Sequence, residues 1–335
     1  MGAFTHGNLA AFFGLVTLNV FLPALIFEAA WQLDAHIVRA QAGPILMLAV
    51  PGVVVTAGIV AFVAHTAGLP WHGALLLGAI LSATDPIAVT AIFRALHVPR
   101  ALATIVESES LLNDAMAVVL FRAVLTGAAF LAFLGTLAGI LIGLLAGLIG
   151  AFALRGRIHA IAQIAATVIG AYAVYTLCDR FNWSGIFAVI AFAMMLRERE
   201  RHAIRLTVAK SVSSFWGRLS FAANCVLFFL LGAAINPARM HLYWVLVLAV
   251  IVAVFIARGV LAYGLLRFAK LRTEWLNVIR MAGIRGALAL ALALATSHEL
   301  RSHEAIAQAT FAVAIVTTLI GALTFERRIG RMNLG

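Results

Sequence analysis

The chain has 335 residues, of which 64% are hydrophobic and only 11% are charged, and its formal net charge is +11. Soluble domains contain about 45–50% apolar and about 25% charged residues, so this chain has too few charges to cover a water-facing surface. The composition excludes a soluble enzyme, a disordered tail and a coiled coil, and it leaves a polytopic membrane protein. At about 20 residues per helix, the length accommodates about ten to twelve membrane spans.

Long apolar runs, separated by short charged or Gly- and Pro-containing breaks, predict an all-α membrane protein with about eleven transmembrane helices. The predicted spans are 8–27, 42–64, 71–94, 101–125, 129–153, 159–177, 184–196, 217–236, 242–268, 275–297 and 303–325. We expect residues 197–216 to form an amphipathic connector. Because no segment has the composition of a separate soluble domain, residues 1–335 are expected to form a single transmembrane domain.

Lys and Arg are distributed unequally between the two sides of these spans, with seventeen on one side, four on the other and three inside spans. Cytoplasmic loops are enriched in Lys and Arg, so the side with seventeen is expected to be cytoplasmic. The C-terminus is then cytoplasmic and the N-terminus outside, in a multi-pass protein of the cell (inner) membrane. The same asymmetry explains the positive charge without nucleic acid, so the expected partner is the lipid bilayer.

The third predicted span is interrupted by Thr84-Asp85-Pro86. Proline lacks a backbone N–H and disfavours helix in the residue before it. We therefore expect a break, followed by a new helix with Asp85 as its acidic cap and Pro86 at its first position. Non-helical backbone at membrane depth is tolerated only inside protein or beside a water-filled cavity, which favours a binding site. A simple proline kink is the alternative.

The fourth predicted span contains an unusual number of polar side chains. Each charge at bilayer depth costs at least about 2.5–3.5 kcal/mol on insertion scales, so the acids need a purpose. At 100° per residue, Glu107, Ser110 and Asp114 share one face of the helix, and Glu109 and Asn113 lie on another. We expect Ser110 and Asp114 to offer oxygen atoms to a small cation. For any single acid, pairing with a buried arginine is the alternative.

The tenth predicted span places Arg285 between Gly283 and Gly286, which permit a local break or a close approach of helices. A buried arginine needs a partner, and the nearest chemistry is a carboxylate of the fourth span. Arg258 and Arg280 also fall inside spans but carry less information, because Arg280 lies near a span end.

Five motifs occur in chain order: F-L-P-A-L-I-F-E (21–28), S-A-T-D-P-I-A-V (82–89), E-S-L-L-N-D-A (109–115), F-F-L-L-G (228–232) and G-I-R-G-A (283–287). Their order and spacing resemble the monovalent cation:proton antiporter-1 family of NhaP- and NHE-type sodium/proton antiporters. The resemblance implies a homodimer with the antiporter fold, which has inverted repeats and broken, crossing helices. It also implies alternating access by movement of a core domain. Relatives usually begin about two spans earlier, so we expect this chain to lack those helices or to be an unusually short member.

By motif, the resemblance implies that Asp114 binds both the ion and the proton. It implies that Ser110, Thr84 and Glu28 are accessory ligands, with sodium held at Asp114, Ser110 and Thr84. Glu28, at the end of the first span, is expected at a cytoplasmic funnel and not buried with Asp114. An interfacial acid with no transport role is the alternative. The helices expected to carry the ion site lie at about 71–125 and 275–297.

Four further residues are expected to support the site. The resemblance implies a buried ion pair between Glu109 and Arg285, and Asp85 lies at the helix break. Asn113 precedes the essential aspartate, and this single-carboxylate pair is associated with electroneutral exchange. We therefore predict the exchange of one monovalent cation, with sodium as the expected ion, for one proton.

An intramembrane enzyme and a cation channel are the rival classes. The chain contains neither G-x-G-D nor G-x-S-x-G, and H-E-L-R-S-H at 298–303 lacks the i, i+4 histidine spacing of a zinc protease. A channel would need a continuous polar pore, whereas these acids cluster at one depth. We expect no enzymatic activity and no cofactor beyond the transported ions.

Overall fold

A computed structural model describes residues 17–154, 159–200, 206–233, 241–269, 271–296, 300 and 302–329. The regular secondary structure in these ranges is helical throughout. The α-helices are α1 (Leu22–Gln32), α2 (Ala35–Ala40), α3 (Ala42–Met47), α4 (Val53–Thr66), α5 (Trp71–Ser82), α6 (Ile87–Ala95), α7 (Arg100–Thr126), α8 (Ala129–Ala153), α9 (Ala160–Arg180), α10 (Gly185–Glu200), α11 (Leu206–Ala233), α12 (Trp244–Gly259), α13 (Thr273–Met281), α14 (Ala287–Leu294) and α15 (His303–Ile329). Short π-helical segments lie at Thr17–Phe21, Leu48–Gly52 and Val260–Leu265, and a 3-10 turn lies at Leu266–Ala269.

Within the described ranges, six helical stretches are long and apolar enough to cross a membrane. They are Ala42–Thr66, Ala129–Ala153, Ala160–Arg180, Lys210–Phe229, His241–Ala269 and His303–Phe325. Five of them coincide with predicted spans, whereas Lys210–Phe229 overlaps the predicted span 217–236 but begins seven residues earlier. A shorter apolar helix, α5, lies within another predicted span. The chain is therefore a multi-pass, all-α membrane protein, as the composition predicts.

The other predicted spans are broken, short or charged. The span at 71–94 is divided into α5 and α6, and the span at 275–297 is divided into α13 and α14. The span at 184–196 corresponds to α10, which has only 16 residues. The span at 101–125 is the continuous helix α7, whose charged residues set it apart from an ordinary lipid-facing helix. Much of the span at 8–27 lies outside the described residues.

The bounds expected for the amphipathic connector, 197–216, are wrong, because the next stretch that could span a membrane already begins at Lys210. α10 continues into this range, and α11 has already begun within it as one helix of 28 residues; residues 201–205 lie outside the described part. Trp216 ties α11 to α9, because its side chain is fully buried and its indole N–H donates to Thr167 Oγ1 at 3.0 Å.

The described residues form two compact units. The first comprises His36–Leu125 and the described residues from Leu230 onwards, and the second comprises the described residues of Leu15–Ala35 and Thr126–Phe229. All of the broken helices and α7 lie in the first unit, except for the last residue of α7.

In the first unit, α4 packs between α5 and α12, and α15 packs against α12 and α14. The contact between α4 and α5 is close, because a Cβ atom at Gly78 would overlap the Ala57 carbonyl oxygen. An apolar core includes Phe93, Leu102, Ile105, Val278, Ile279 and Phe325, together with Ile284 of the second break. The second break, at 282–286, is buried throughout in packed protein, as backbone at membrane depth requires.

In the second unit, α8 packs along α10 and the loop before it through glycines spaced four residues apart. Gly135 and Gly139 meet loop residues 182–184, and Gly143 and Gly147 meet α10 itself. A Cβ atom at Gly143 would overlap a carbonyl oxygen of α10. Small residues let two helix backbones approach in this way in membrane proteins. α1 adds Phe27 and Trp31, whose rings stack with centroids 5.6 Å apart, to the core of this unit.

Candidate ion-binding site

Two helix breaks of the first unit meet at the candidate site. The first separates α5 from α6, and the second separates α13 from α14. The backbone N–H of Asp85, in the first break, donates to the carbonyl oxygen of Ile284, in the second, at 2.8 Å. The break that the sequence predicts at Thr84-Asp85-Pro86 is confirmed, and of the two alternatives open at Arg285 the structure shows a break. This hydrogen bond pairs a backbone group of one break with a backbone group of the other.

The position expected for the cap is one residue out, because Pro86 rather than Asp85 is the N-cap residue of α6. Asp85 lies against Gly286, so closely that a Cβ atom at Gly286 would overlap the Asp85 carboxyl group. Only glycine fits there, because any larger residue would push the two breaks apart.

α7 brings polar side chains to the first break. The backbone N–H of Thr84 donates to Asp114 Oδ1 at 3.1 Å. The Ser110 hydroxyl donates to the Thr84 carbonyl oxygen, and the Thr84 hydroxyl donates to Ser110 Oγ at 3.3 Å. Asp114, Ser110 and Thr84, which the sequence groups as ion ligands, therefore lie together in one cluster of oxygen atoms.

The members of this cluster differ in their exposure. Thr84 and Ser110 are buried, with 4% and 3% of their surface exposed, whereas Asp114 is partly exposed. Hard cations take oxygen ligands such as carboxylates, hydroxyls and carbonyls. The cluster therefore has the chemistry to hold a small cation.

Asn113 connects this cluster to a second one. Its amide Nδ2 donates to Thr84 Oγ1 at 3.2 Å and to Glu109 Oε1 at 3.0 Å. The sequence assigns Asn113 and Glu109 to a face of α7 with a separate role. The structure shows that Asn113 also contacts the ion cluster, because the unwound backbone at Thr84 reaches both the Ser110 face and the Asn113 face of α7.

Glu109 forms a buried ion pair with Arg258 of α12, whose Nη1 donates to Glu109 Oε1. Both residues are almost fully enclosed, with 1% of Glu109 and 4% of Arg258 exposed. The predicted pairing of Glu109 with Arg285 is therefore wrong. The backbone N–H of Arg285 donates to Thr317 Oγ1 at 3.2 Å, and its guanidinium donates to the Gly283 carbonyl oxygen at 3.4 Å.

Gly283 gives the physical reason for this change of partner. A Cβ atom at Gly283 would overlap the Arg258 side chain, so the missing side chain makes room for Arg258 to pass towards α7. From the sequence alone, Gly283 is expected to make room around Arg285 rather than around Arg258. Arg258 was identifiable in principle, because it lies deep in the apolar run 242–268 and a charge at that depth needs a partner.

Glu28 belongs to the second unit, whereas Asp114 belongs to the first. It lies in the last turns of α1, is partly exposed, and accepts a hydrogen bond from Gln32 Nε2 at 3.4 Å. Its role as an accessory ligand stays a prediction.

Two relatives match most of this chain. It is 33% identical over 338 residues to the Na(+)/H(+) antiporter ApNhaP of Aphanothece halophytica, covering 95% of this chain and 64% of the relative. It is 31% identical over 336 residues to the low-affinity Na(+)/H(+) antiporter NhaS1 of Synechocystis sp., covering 92% of this chain and 63% of the relative. The chain thus spans less than two thirds of the length of either protein.

The fold is that of a solved antiporter. The structure of the sodium proton antiporter MjNhaP1 from Methanocaldococcus jannaschii matches with a TM-score of 0.82 and 19% sequence identity, over 99% of this chain and 88% of that one. The family described as "Sodium/hydrogen exchanger, transmembrane" matches residues 7–327, nearly the whole sequence. The family inferred from the five motifs is confirmed, and the chain belongs to the sodium/hydrogen exchanger family.

Proposed function

We propose that the chain exchanges a monovalent cation, sodium, for a proton by alternating access. The observation that carries the proposal is the cluster at the first helix break, where the carboxyl group of Asp114 lies beside the oxygens of Thr84 and Ser110. A protonated carboxyl group loses the charge that attracts a cation, so the two ions compete for one site. The names of the related antiporters support sodium as the cation.

The hydrogen bonds of the cluster favour cation binding. Asn113 donates to the Thr84 hydroxyl, which donates to the Ser110 hydroxyl, which donates to the Thr84 carbonyl oxygen. Both hydroxyl hydrogens are therefore directed within the cluster, and hydroxyl lone pairs remain for a cation. In this proposal Asp114 supplies the charge, and Thr84 and Ser110 supply neutral oxygens.

The supporting residues hold this cluster in place. The pair of Glu109 with Arg258 fixes Glu109 Oε1, which in turn orients the Asn113 amide. Asp85 joins the two breaks through its backbone N–H. We propose Glu28, in the other unit, as an accessory group that attracts cations on the cytoplasmic side.

We propose that exchange is electroneutral. The residue beside the essential carboxylate is Asn113, whose amide is neutral in every state of the transport cycle. One proton exchanged for one monovalent cation moves no net charge. In proteoliposomes with an imposed membrane potential and no ion gradient, we expect no net cation accumulation, and accumulation would contradict this stoichiometry.

The test of the function is Asp114→Asn in proteoliposomes with an internal pH-sensitive dye. A sodium gradient should drive proton movement in the wild-type protein and none in the variant. Glu274→Gln is the matched control, since it removes a half-exposed carboxylate that lies 3.6 Å from Arg272 at the surface, and it should transport normally. Proton movement at the wild-type rate in Asp114→Asn would refute the assignment, and sodium flux without coupled proton movement would favour a channel.

We further propose that the protein is a homodimer in the cell membrane, with the N-terminus outside and the C-terminus cytoplasmic. The family resemblance supports the dimer, and the uneven distribution of Lys and Arg supports the orientation. Light scattering in mild detergent tests the first proposal. Protease access to a C-terminal tag in right-side-out and inverted vesicles tests the second.

A further inference from the structure

The unwound segment between α13 and α14 is held by one face of α15. The backbone N–H of Arg285 donates to Thr317 Oγ1 at 3.2 Å, and both residues are buried. One turn further along α15, a Cβ atom at Gly321 would lie 2.6 Å from Ile284 Cδ1, so Ile284 packs directly onto the helix backbone there. Thr317 and Gly321 are four residues apart and share a face, and together we call them the α15 cradle.

The orientation of the Thr317 hydroxyl is fixed by its own helix. It donates to the carbonyl oxygen of Val313 at 2.8 Å, and the carbonyl oxygen of Ala314 lies within hydrogen-bond distance at 3.2 Å. Its hydrogen is thereby used, and its lone pairs are available as an acceptor for the Arg285 N–H. Without this acceptor, a buried backbone N–H in a non-helical segment would have no partner, which native structures avoid.

The α15 cradle is connected to the ion site through backbone hydrogen bonds. Ile284, which precedes Arg285, accepts the N–H of Asp85 at 2.8 Å. Thr84, which precedes Asp85, donates its own N–H to Asp114 at 3.1 Å. A displacement of the second break would therefore move Asp85 and, through it, the neighbouring Thr84, which supplies most of the neutral oxygens of the ion site.

We propose that Thr317 is a positioning residue for the ion site, which acts by anchoring the second helix break at Arg285 and thereby fixes Thr84 relative to Asp114. The inference rests on the proposed function of that site. Thr317 acts through the hydrogen bond that its hydroxyl accepts from the Arg285 backbone. Loss of this bond weakens cation binding because Thr84 is displaced, although no cation ligand is removed.

The test compares two substitutions at one position. Thr317→Val keeps the shape but removes the acceptor, whereas Thr317→Ser keeps the acceptor. Removing an outer partner of an ion ligand typically weakens affinity by about 10–100-fold, and we expect the low end, an increase of about tenfold in the apparent KM for sodium with Thr317→Val. Thr317→Ser should restore the wild-type KM, and the maximal rate per folded protein should change little.

Thr310 provides the matched control on the same helix. It is fully buried, and its hydroxyl has no hydrogen-bond partner in the described part of the chain. Thr310→Val therefore makes the same chemical change two turns away without removing a bond to the break. It should leave the apparent KM at the wild-type value, and an equal increase in both valine variants would overturn the inference.

Two further measurements keep the inference testable if Thr317→Val folds poorly. Gly321 is the second residue of the α15 cradle. Gly321→Ala should push Ile284 away from α15 and should therefore also raise the apparent KM. Hydrogen–deuterium exchange of the Arg285 amide reports the anchor without transport, and exchange should be faster in Thr317→Val than in Thr317→Ser. A wild-type KM in both Thr317→Val and Gly321→Ala, or unchanged exchange in Thr317→Val, would overturn the inference. A wild-type protein that moves no protons would refute the proposed function instead, and amide exchange would still decide the anchor.

Discussion

The ion pair between Glu109 and Arg258 predicts a specific pattern of coupling in mutant stability. Glu109 Oε1 accepts from Arg258 and from the Asn113 amide, while Oε2 has no partner among the described residues. Replacing Arg258 by Met would leave the buried carboxylate with one neutral donor. Replacing Glu109 by Gln would leave a buried guanidinium whose Nε already lacks a partner.

The magnitude follows from the burial of both partners. Removing one member of a buried ion pair costs about 3–5 kcal/mol, because the other charge is left enclosed and unpaired. The double variant Glu109→Gln, Arg258→Met removes both charges and should lose much less than the sum of the two single losses. We expect a coupling free energy of about 2–3 kcal/mol, at the upper end of the range for residues in contact.

The assay is a double-mutant cycle on the free energy of unfolding, measured by denaturant titration in mixed micelles. A second cycle between Glu109 and Arg285 is the control, since these two make no direct bond, and its coupling should be the smaller of the two. Additive losses for Glu109 with Arg258 would refute the pairing. A larger coupling with Arg285 would restore the partner that the sequence suggests.

Two other predictions concern close approaches of backbone. Gly286→Ala should destabilise the protein by about 1–3 kcal/mol and weaken sodium binding, because the new methyl group would displace Asp85. Thermal unfolding and the apparent KM measure both effects, and the control Gly58→Ala, whose methyl group would meet nothing within 4 Å, should lower neither stability nor affinity. Gly143→Ala should lower the unfolding temperature, because the methyl group meets a backbone carbonyl of α10, whereas Gly150→Ala on the same helix makes only an ordinary contact at 3.6 Å. Equal unfolding temperatures for the two α8 variants would contradict this packing.

The helix breaks were predictable because their causes are local. Pro86 removes a backbone donor and restricts the residue before it, and glycines flank Arg285. The grouping of Ser110 and Asp114 follows from helical periodicity alone, since residues four apart lie on one face. Each of these inferences uses only neighbours in the sequence.

The choice between two buried arginines could not be made from the sequence. Both Arg258 and Arg285 lie inside apolar helices, and either could have paired with Glu109. The outcome depends on which helix passes over Gly283, a relation between segments that are distant in the chain. Thr317 was equally hidden, because a threonine in an apolar helix usually bonds its own preceding turn and gives no sign of a second partner.

The same reasoning explains why paired helix breaks can supply the groups of the proposed ion site. Each break leaves backbone N–H and C=O groups without helical partners, and these must be satisfied inside the protein. The Asp85 N–H is satisfied by the other break, and the Thr84 N–H by the carboxyl group of Asp114. Hydrogen bonds to a charged acceptor are roughly twice as strong as those to a neutral one. In the proposed function, a proton or a cation at Asp114 would change the strength of a bond that holds the break. The occupant of the site would then be linked physically to the geometry of the helices that carry it.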